Sequence, residues 1–400
     1  MSETTASAPV RRRPRDRRQA IEAAAAAAFA EHGYHRVSMQ DVADVVGISA
    51  AALYRHFENK YDLFREVALG LAASLASAVE GIDEGPCATA DEASARLDEL
   101  LDAIAGATIA LRGSGGIYRW ESRYLEPEDR HALASEFSAL RRRIAVPLAT
   151  LRPELDDQAR RRAAIAALSA IASVTTHRTA MPASAQRALL HEAAMRVLSS
   201  PIPPAELEAV EDQEPTVKPR RRREQLAQAG IMLFSERGYH EVTIEDIAHA
   251  VGLTPSGVYR HFSGKSEILR TACVRAAETL DEAADVALAH EDASEALRIL
   301  SAAYIDFAVD DRDLMGVYVA DVGALDLEDQ KGLRRLQRAH VEDWVELLGR
   351  VRPELDQKQR RFLVQAGFNV VADLSVDLRH GPASEAKALI APLLEAVLGV

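Results

Sequence analysis

Two short segments of the chain place tyrosine, arginine, histidine and lysine side chains at the same spacing. Residues 53–57 read LYRHF and residues 258–262 read VYRHF, and Lys60 and Lys265 follow at equal distances. In each segment the first and last residues are apolar and four positions apart, so they share one helical face that can pack inward. The polar side chains between them are left to solvent or to a binding partner.

A helix and a glycine turn precede each segment and would position it. Ser38 and Thr243 begin these helices, because each hydroxyl residue is followed three positions later by an aspartate, which is a capping-box pattern. Gly47 and Gly252 end them, since glycine adopts the left-handed backbone of a tight helix end without a clash. The hydroxyl residue two positions after each glycine is suited to cap a second helix. This layout is a helix-turn-helix, whose second helix enters the major groove of DNA.

Both stretches resemble the DNA-binding domain of the TetR (AcrR-like) family of bacterial regulators. The resemblance runs through a glycine, an apolar residue and a hydroxyl residue, then through the tyrosine, histidine, phenylalanine and lysine. These residues are Gly47, Ile48, Ser49, Leu53, Tyr54, His56, Phe57 and Lys60 in the first stretch, and Gly252, Leu253, Thr254, Val258, Tyr259, His261, Phe262 and Lys265 in the second. A lone glycine turn is a weak signal, whereas this many residues in register twice is a specific one.

The resemblance implies recognition helices over residues 49–57 and 254–262 and a double-stranded DNA partner. The implied DNA-binding residues are Ser49, Ala50, Ala51, Ala52, Tyr54, Arg55, His56 and Lys60, with Thr254, Pro255, Ser256, Gly257, Tyr259, Arg260, His261 and Lys265. The tyrosines, histidines and lysines align with phosphate-contacting positions of the family, and phosphate contacts do not read sequence. The residue triplets at 50–52 and 255–257 align with base-reading positions and have short side chains. Because the triplets differ, we expect related but non-identical half-sites in a pseudo-palindromic operator.

The chain contains two whole-domain copies, which we call copy one (residues 1–199) and copy two (residues 218–400). LRPELD at residues 151–156 recurs as VRPELD at 351–356, an offset of 200 rather than 205, so copy two has lost five residues. A proline-rich, acidic stretch between the copies has the composition of an extended linker. The predicted domains are a DNA-binding domain at 1–65, a helical regulatory domain at 66–199, a linker at 200–217, a second DNA-binding domain at 218–270 and a second regulatory domain at 271–400.

No stretch has the pattern of a strand, so we predict an all-α fold of two tandem TetR-like units. Each unit would be a helix-turn-helix domain followed by a helical ligand-binding and dimerisation domain. In the regulatory domains the predicted helices span 61–80, 91–111, 117–126, 128–150, 154–178 and 184–198 in copy one, and 266–290, 293–309, 311–325, 328–350, 354–378 and 384–399 in copy two.

TetR-like proteins dimerise through their last two helices, which implies that the two copies pack as an intramolecular pseudo-dimer. The predicted packing residues are Ala164, Leu168, Ile171, Leu189 and Val197 in copy one, facing Leu363, Phe368, Val371, Leu389 and Leu394 in copy two. Such a unit would present two recognition helices to successive major grooves, about 34 Å apart. The alternatives are two chains with four DNA-binding domains, and further self-association.

The net charge of −13 over 400 residues argues against indiscriminate binding to nucleic acid, so any basic surface must be local. Residues 1–60 hold nine Lys and Arg against seven Asp and Glu, and residues 217–265 hold eight against five. Arginine runs at 11–13 and 220–223 precede the two DNA-binding domains. We interpret them as arms that reach phosphates or the minor groove, with a solvated tail as the alternative.

The cysteine content and hydropathy favour a soluble cytoplasmic protein. The chain has only Cys87 and Cys273, far apart in sequence, which fits a reducing compartment better than a disulfide framework. No segment approaches the roughly 20 apolar residues that cross a bilayer, and no signal peptide is evident, so we expect no membrane contact. Motifs for a metal site, a phosphate-binding loop or a catalytic nucleophile are absent from the sequence, so we predict neither an enzyme nor a cofactor.

A cluster of aromatic and charged residues follows a glycine-bearing break in copy one. It contains Trp120, Glu121, Arg123 and Tyr124, and it is similar to the inducer-domain segment of actinobacterial TetR-like regulators of lipid or acyl-thioester metabolism. The similarity implies a small apolar or acyl-thioester effector. His177 is a further pocket or interface candidate, with a satisfied core histidine as the alternative. Copy two lacks the tryptophan, glutamate and arginine, so we expect copy one to sense the effector and copy two to be mainly structural. The alternative is that Glu121 and Arg123 only form an ion pair.

These features together predict a ligand-responsive, DNA-binding transcriptional regulator. Repression is the usual mode of the family and is the mode we expect, with an activator of the same family as an alternative. A helical interaction scaffold without sequence-specific DNA binding is the alternative from another functional class, although two retained sets of tyrosine, histidine and lysine argue against it.

Overall fold

The computed structural model describes residues 14–114, 117, 121–203 and 221–400, and every regular element within these ranges is a helix. Copy one contains α1 (Pro14–His32), α2 (Met39–Val46), α3 (Ala50–Leu53), α4 (Lys60–Ala78), α5 (Ala90–Ala110), α6 (Pro127–Leu151), α7 (Asp157–Ala172) and α8 (Ala183–Ser199). Its 3-10 turns are Arg112–Ser114, Glu121–Tyr124 and Ser173–Thr175. The predicted arm at 11–13, Trp120 and most of the predicted linker lie outside the described residues.

Among the described residues, copy two repeats the helices of copy one in the same order and has one further α-helix, over Arg312–Asp321. It contains α9 (Arg222–Arg237), α10 (Ile244–Ala250), α11 (Pro255–Val258), α12 (Lys265–Leu288), α13 (Ala293–Asp310), α14 (Arg312–Asp321), α15 (Leu327–Val351), α16 (Gln357–Asp377) and α17 (Ala383–Leu398), with a 3-10 turn at Val322–Ala324. The all-α prediction is therefore confirmed for the described ranges.

Several helix boundaries differ from the sequence predictions, and the following differences are the clearest. The helices predicted to begin at 154 and 354 begin three residues later, because Asp156 and Asp356 cap them by accepting hydrogen bonds from the backbone N–H groups of the first turn. The helix predicted to run to 178 ends as an α-helix at Ala172 and continues as a 3-10 turn. Where we predicted a helix at 117–126, the described residues form a 3-10 turn over Glu121–Tyr124.

The DNA-binding domains have small cores of their own. Leu53 and Phe57 in copy one, and Val258 and Phe262 in copy two, are at most 1% exposed, so the apolar pairs pack inward as predicted. The helix that leaves each domain, α4 or α12, runs on into the regulatory domain without a break. The predicted domain boundaries at 65 and 270 therefore fall inside helices.

The two copies contact each other through their last two helices. Helices α7 and α8 pack against α16 and α17, and all ten residues predicted for this surface belong to the shared core or pack against it. Polar groups cross the contact as well, since Asn369 Nδ2 donates to the carbonyl of Ser169 at 3.3 Å. Arg196 donates to the carbonyls of Ala396 and Val397 at 2.9 and 3.0 Å.

None of the described helices combines the length and the hydropathy that crossing a membrane requires.

Candidate nucleic-acid interface

The helices that precede the recognition helices begin with the predicted capping boxes. Asp41 N–H donates to Ser38 Oγ at 3.2 Å, and Ser38 N–H donates to Asp41 Oδ2 at 2.7 Å. The Thr243 and Asp246 pair repeats this geometry at 3.1 and 2.8 Å. Hydrogen bonds from the Ser38 and Thr243 side chains lower the pKa of both aspartates, so the caps hold ionised carboxylates at the helix starts.

The turns depend on glycine as predicted, because Gly47 has φ +71° and Gly252 has φ +68°. The second helices are shorter than predicted, since α3 and α11 contain four residues each and then continue as hydrogen-bonded turns. Ser49 Oγ accepts a hydrogen bond from Ala52 N–H at 3.2 Å and so caps α3. Thr254 does not cap α11, so that prediction was wrong. Its hydroxyl lies 3.0 Å from Ser256 Oγ, and a proline at the first helical position fixes the backbone instead.

Half of the predicted DNA-binding residues are exposed, and the other half are half-buried. Tyr54 and Tyr259 are 52% and 57% exposed, so they are not packed in the domain core. Their hydroxyl groups are available to a partner. The other exposed members are Ser49, Ala51, Arg55, Thr254, Ser256 and Arg260, and the half-buried members are Ala50, Ala52, His56, Lys60, Pro255, Gly257, His261 and Lys265. The two faces match each other position by position.

The two predicted phosphate-binding lysines are engaged by the protein itself. Lys265 Nζ donates to the carbonyls of Tyr239, His240 and Val242 at 2.7, 3.2 and 2.9 Å. An ammonium group has three N–H donors, so this geometry leaves Lys265 none for a phosphate. Lys60 Nζ lies 3.4 Å from the carbonyl of His35, and burial lowers the pKa of both lysines. Their structural role is to hold the loop between the first two helices of each domain.

Two arginines for which the sequence predicted no role in the recognition helices hold the ends of these helices. The Arg18 guanidinium lies 4.5 Å from the centre of the Phe57 ring and donates to the carbonyl of His56 at 3.1 Å. Arg223 lies 4.1 Å from the Phe262 ring and donates to the carbonyl of His261. We had predicted Arg223 in a flexible arm, but it lies in the first turn of α9. The offset of 205 between the two arginines was the signal that could have identified them.

The loops that follow α1 and α9 bring the two DNA-binding domains into contact. The ring centres of His35 and His240 are 5.0 Å apart, and His35 Nε2 lies 3.8 Å from Glu241 Oε1. Burial is the main cause that lowers the pKa of both histidines. The charge of His240 lowers the pKa of His35 further, and the charge of Lys265 lowers that of His240. The imidazoles are therefore neutral at neutral pH, which lets two titratable rings pack together.

An ion pair between the copies lies beside these histidines. Arg123 donates to both carboxylate oxygens of Asp321 at 3.2 and 2.5 Å, and Asp321 is only 4% exposed. Burial raises the pKa of Asp321, while Arg123 acts in the opposite direction. Tyr124 packs edge-on against His35 at 4.5 Å, and a Cβ at Gly238 would lie 2.7 Å from its hydroxyl. We call this set of contacts, Arg123, Tyr124, Asp321, His35 and His240, the junction.

The predicted effector residues therefore occupy different settings. Arg123 and Tyr124 belong to the junction. The alternative prediction for Arg123 was an ion pair, and the structure shows one, with Asp321 as the partner. His177 lies against the ring of Phe362 from copy two at 4.5 Å, and burial lowers its pKa to about 3. Trp120 and the side chain of Glu121 lie outside the described residues. Sequence reasoning missed Asp321, because its partner is 198 positions away.

Comparison with known proteins gives the same result for both copies. The model of the TetR family of bacterial regulatory proteins matches residues 21–67 and 226–272. A probable acrEF/envCD operon repressor from Escherichia coli (strain K12) is 42% identical over 50 residues, which are 12% of this chain and 23% of that protein. The transcriptional activator FasR from Mycolicibacterium smegmatis is 42% identical over 57 residues, 14% of this chain and 26% of its own. The chain thus spans about a quarter of the length of these relatives.

A solved TetR-family transcriptional regulator from Bordetella parapertussis is 19% identical to this chain, with a TM-score of 0.42, and the match covers 45% of this chain and 95% of the other. The family match in each copy coincides with the capped helices, glycine turns and exposed faces described above. The family matches, one in each copy, therefore identify the chain as a tandem TetR-like protein.

Proposed function

We propose that this protein is a transcriptional regulator whose two DNA-binding domains read one pseudo-palindromic operator. The observation that carries the proposal is the presence of two matched family domains with equivalent exposed faces in a single chain. Contacts between the copies support their use as a pseudo-dimer. Covalent linkage favours this arrangement, because it raises the effective concentration of one domain near the other.

The two half-sites of the operator would be related but different. Copy one presents three alanines to the bases, which offer only apolar contact, for example with a thymine methyl group. Copy two presents proline, serine and glycine, and Ser256 alone can form a hydrogen bond to a base edge. Direct readout is therefore modest, and Arg55, Arg260 and DNA shape supply part of the specificity.

Regulation by a small apolar or acyl-thioester effector is the second part of the proposal. An effector that reached Arg123 would compete with Asp321 for the guanidinium group, and the contact between the copies would weaken. Because the junction joins both DNA-binding domains, losing it would change the spacing of the recognition helices and so the affinity for the operator. The effector would thus act from copy one on both domains, in the cytoplasm where the DNA is.

Selection of bound sequences from a random double-stranded library tests the operator. The wild type should enrich two half-sites about one helical turn apart, with different base preferences, and its affinity should fall steeply with salt. As a matched variant, Pro255→Ala with Ser256→Ala and Gly257→Ala gives copy two the triplet of copy one, and its selected site should become more symmetric. Preference of the wild type for a perfect palindrome would contradict non-identical half-sites. A chain that enriches no sequence would be the interaction scaffold.

A reporter gene placed behind the selected operator distinguishes repression from activation. The relatives named above include one repressor and one activator, and we propose repression as the mode. Deleting the gene that encodes this protein should then raise expression of the reporter. A fall in reporter expression would identify an activator.

A further inference from the structure

A groove of about 650 Å³ lies in copy two between α12 and α15. Val274, Leu333 and Leu336 give it an apolar floor. Its rim carries four basic residues and two acidic ones, which are Arg270, Lys331, Arg335, Arg338, Glu328 and Asp329. The groove therefore combines an apolar surface with a net positive rim.

Three of the rim cations lie together on α15. Lys331, Arg335 and Arg338 are four and three positions apart, so their side chains share one face of the helix. All three are exposed, and none has a hydrogen bond or ion pair with the described part of the chain. The rim aspartate already has a partner, since Arg270 Nε lies 3.7 Å from Asp329 Oδ2. Three cations on one edge of the groove are thus left without an anion.

The equivalent helices of copy one are joined by a tyrosine. Tyr61 bridges α4 and α6 there, because its hydroxyl donates to Asp129 Oδ2 at 2.6 Å and accepts from Glu126 N–H at 2.8 Å. At the matching position of copy two, an offset of 205, stands the much smaller Ser266. The three cations are also specific to copy two, because an offset of 200 gives His131, Ser135 and Ser138.

A glycine adds room in the groove. A Cβ built at Gly332 would meet nothing within 4 Å, so the space beside it is open. Copy one has Ala132 at this position. A Leu side chain at position 332 could therefore enter the groove without a backbone clash and occupy part of it.

We propose that this groove binds an amphiphilic anion, with its alkyl chain on the apolar floor and its carboxylate on Lys331, Arg335 and Arg338. Such a ligand uses both parts of the groove, because its alkyl chain is buried on the floor and its carboxylate makes charge-assisted contacts with the rim. A free inorganic anion would use only the rim. A DNA backbone would also use only the rim, since it has no apolar segment to place on the floor.

The position of the groove gives binding a consequence for the DNA-binding domain of copy two. Helix α12 begins at Lys265, whose ammonium holds the loop at Tyr239, His240 and Val242. A ligand wedged between α12 and α15 would shift α12 and carry that domain with it. This consequence rests on the proposed regulatory function, whereas binding itself does not.

Titration of the full chain with dodecanoate, in the absence of DNA, tests the site. Isothermal calorimetry should show one carboxylate bound per chain, and much weaker binding of inorganic phosphate and of dodecanol. Lys331→Gln with Arg335→Gln and Arg338→Gln should weaken dodecanoate binding at least tenfold, because the three exposed side chains supply the charge. Gly332→Leu should weaken it similarly by filling the space. Arg142→Gln, an exposed arginine on the equivalent helix of copy one, is the control and should change nothing.

Equal dodecanoate affinity in the wild type and in both groove variants would overturn the proposal. So would phosphate binding as tight as dodecanoate binding, since the rim alone would then account for the affinity. If the triple variant instead lost DNA affinity with a smaller salt slope while dodecanoate binding was unchanged, the rim would be a DNA contact and the proposal would be wrong. Circular dichroism of each variant separates these outcomes from loss of fold. Because the titration contains no DNA, its result does not depend on the regulatory proposal.

Discussion

The interiors of the two regulatory domains differ at positions that the duplication made equivalent. Four core positions hold the aliphatic residues Ile104, Leu140, Ile144 and Leu168 in copy one, and Tyr304, His340, Trp344 and Phe368 in copy two, at a constant offset of 200. The helices that carry them are the same in both copies. The comparison shows that the helical frame was kept while the side chains inside it diverged.

The aromatic residues of copy two pack as one group. Trp344 is fully buried and lies edge-on to Tyr304, His340 and Phe368, with interplanar angles of 75–89°. Its indole N–H donates to His340 Nε2 at 3.1 Å. Burial lowers the pKa of His340 to about 4, so the ring is neutral and can accept that bond. Rings that are edge-on around Trp344 and otherwise stacked thus occupy in copy two the positions that aliphatic side chains hold in copy one.

The substitution with the largest expected effect on stability removes the central member of this aromatic group. Trp344→Ala removes the central ring and should cost about 3–5 kcal/mol of unfolding free energy, from lost burial and the cavity left behind. The matched change in copy one, Ile144→Ala, removes fewer atoms and should cost about 2–3 kcal/mol. Urea denaturation of both variants measures the difference. If Ile144→Ala proved the more damaging, copy two would not depend on its aromatic group.

The second prediction concerns the junction, which is asymmetric between the two copies. If the junction were two-fold symmetric, a second arginine–aspartate pair would join positions 323 and 121. Position 323 is a glycine and position 121 a glutamate, so this second pair cannot form. Arg123→Met leaves a buried carboxylate without its cation and should cost about 2–3 kcal/mol, less than a fully buried pair because Arg123 is partly exposed. Urea denaturation measures this cost. The control Arg161→Met breaks the more exposed pair with Asp377 and should cost at most about 1 kcal/mol.

Acid should affect the two copies differently at the position of His340 and Leu140. Burial lowers the pKa of His340 in the folded state, so the unfolded chain binds more protons below the ordinary value near 6.5. Stability is then lost as the pH falls, by about 2 kcal/mol between pH 7.5 and pH 5 for this residue. His340→Leu, which installs the residue of copy one, should remove that part of the pH dependence in urea titrations. The exposed control His290→Leu should leave it unchanged, and equal curves for all three proteins would contradict the prediction.

The smallest effect should be equal in both copies, because Arg18 and Arg223 make matching contacts. Arg18→Met or Arg223→Met removes the cation over the phenylalanine ring and the bond to the helix-end carbonyl, and should cost about 1 kcal/mol. Amide exchange of Phe57 or Phe262 should accelerate in the corresponding variant. Arg222→Met, one residue from Arg223 and hydrogen-bonded within its own helix, is the control. An effect confined to one copy would show that the DNA-binding domains have diverged like the regulatory cores.

Local patterns in the sequence were enough to predict the DNA-binding domains. Ser38 with Asp41, Gly47, and the buried pair Leu53 and Phe57 act within a few residues of one another, so spacing alone identifies their contacts. The predicted cap by Thr254 failed because the adjacent proline already fixes the start of that helix. The phosphate role of Lys265 was inferred from its position in the motif and stays a prediction, and in the structure its ammonium donates to carbonyls about 25 residues earlier.

The sequence by itself determined the duplication, the all-helical fold and the two helix-turn-helix motifs, because capping, glycine turns and helical periodicity are local. Only the tertiary structure decided which groups meet between the copies. Arg123 meets Asp321 across 198 positions, and His35 meets His240 across the domain contact. The groove between α12 and α15 likewise lies between two helices that are about 60 residues apart in the sequence. Such contacts depend on how helices that are distant in sequence pack, and no local spacing encodes that packing.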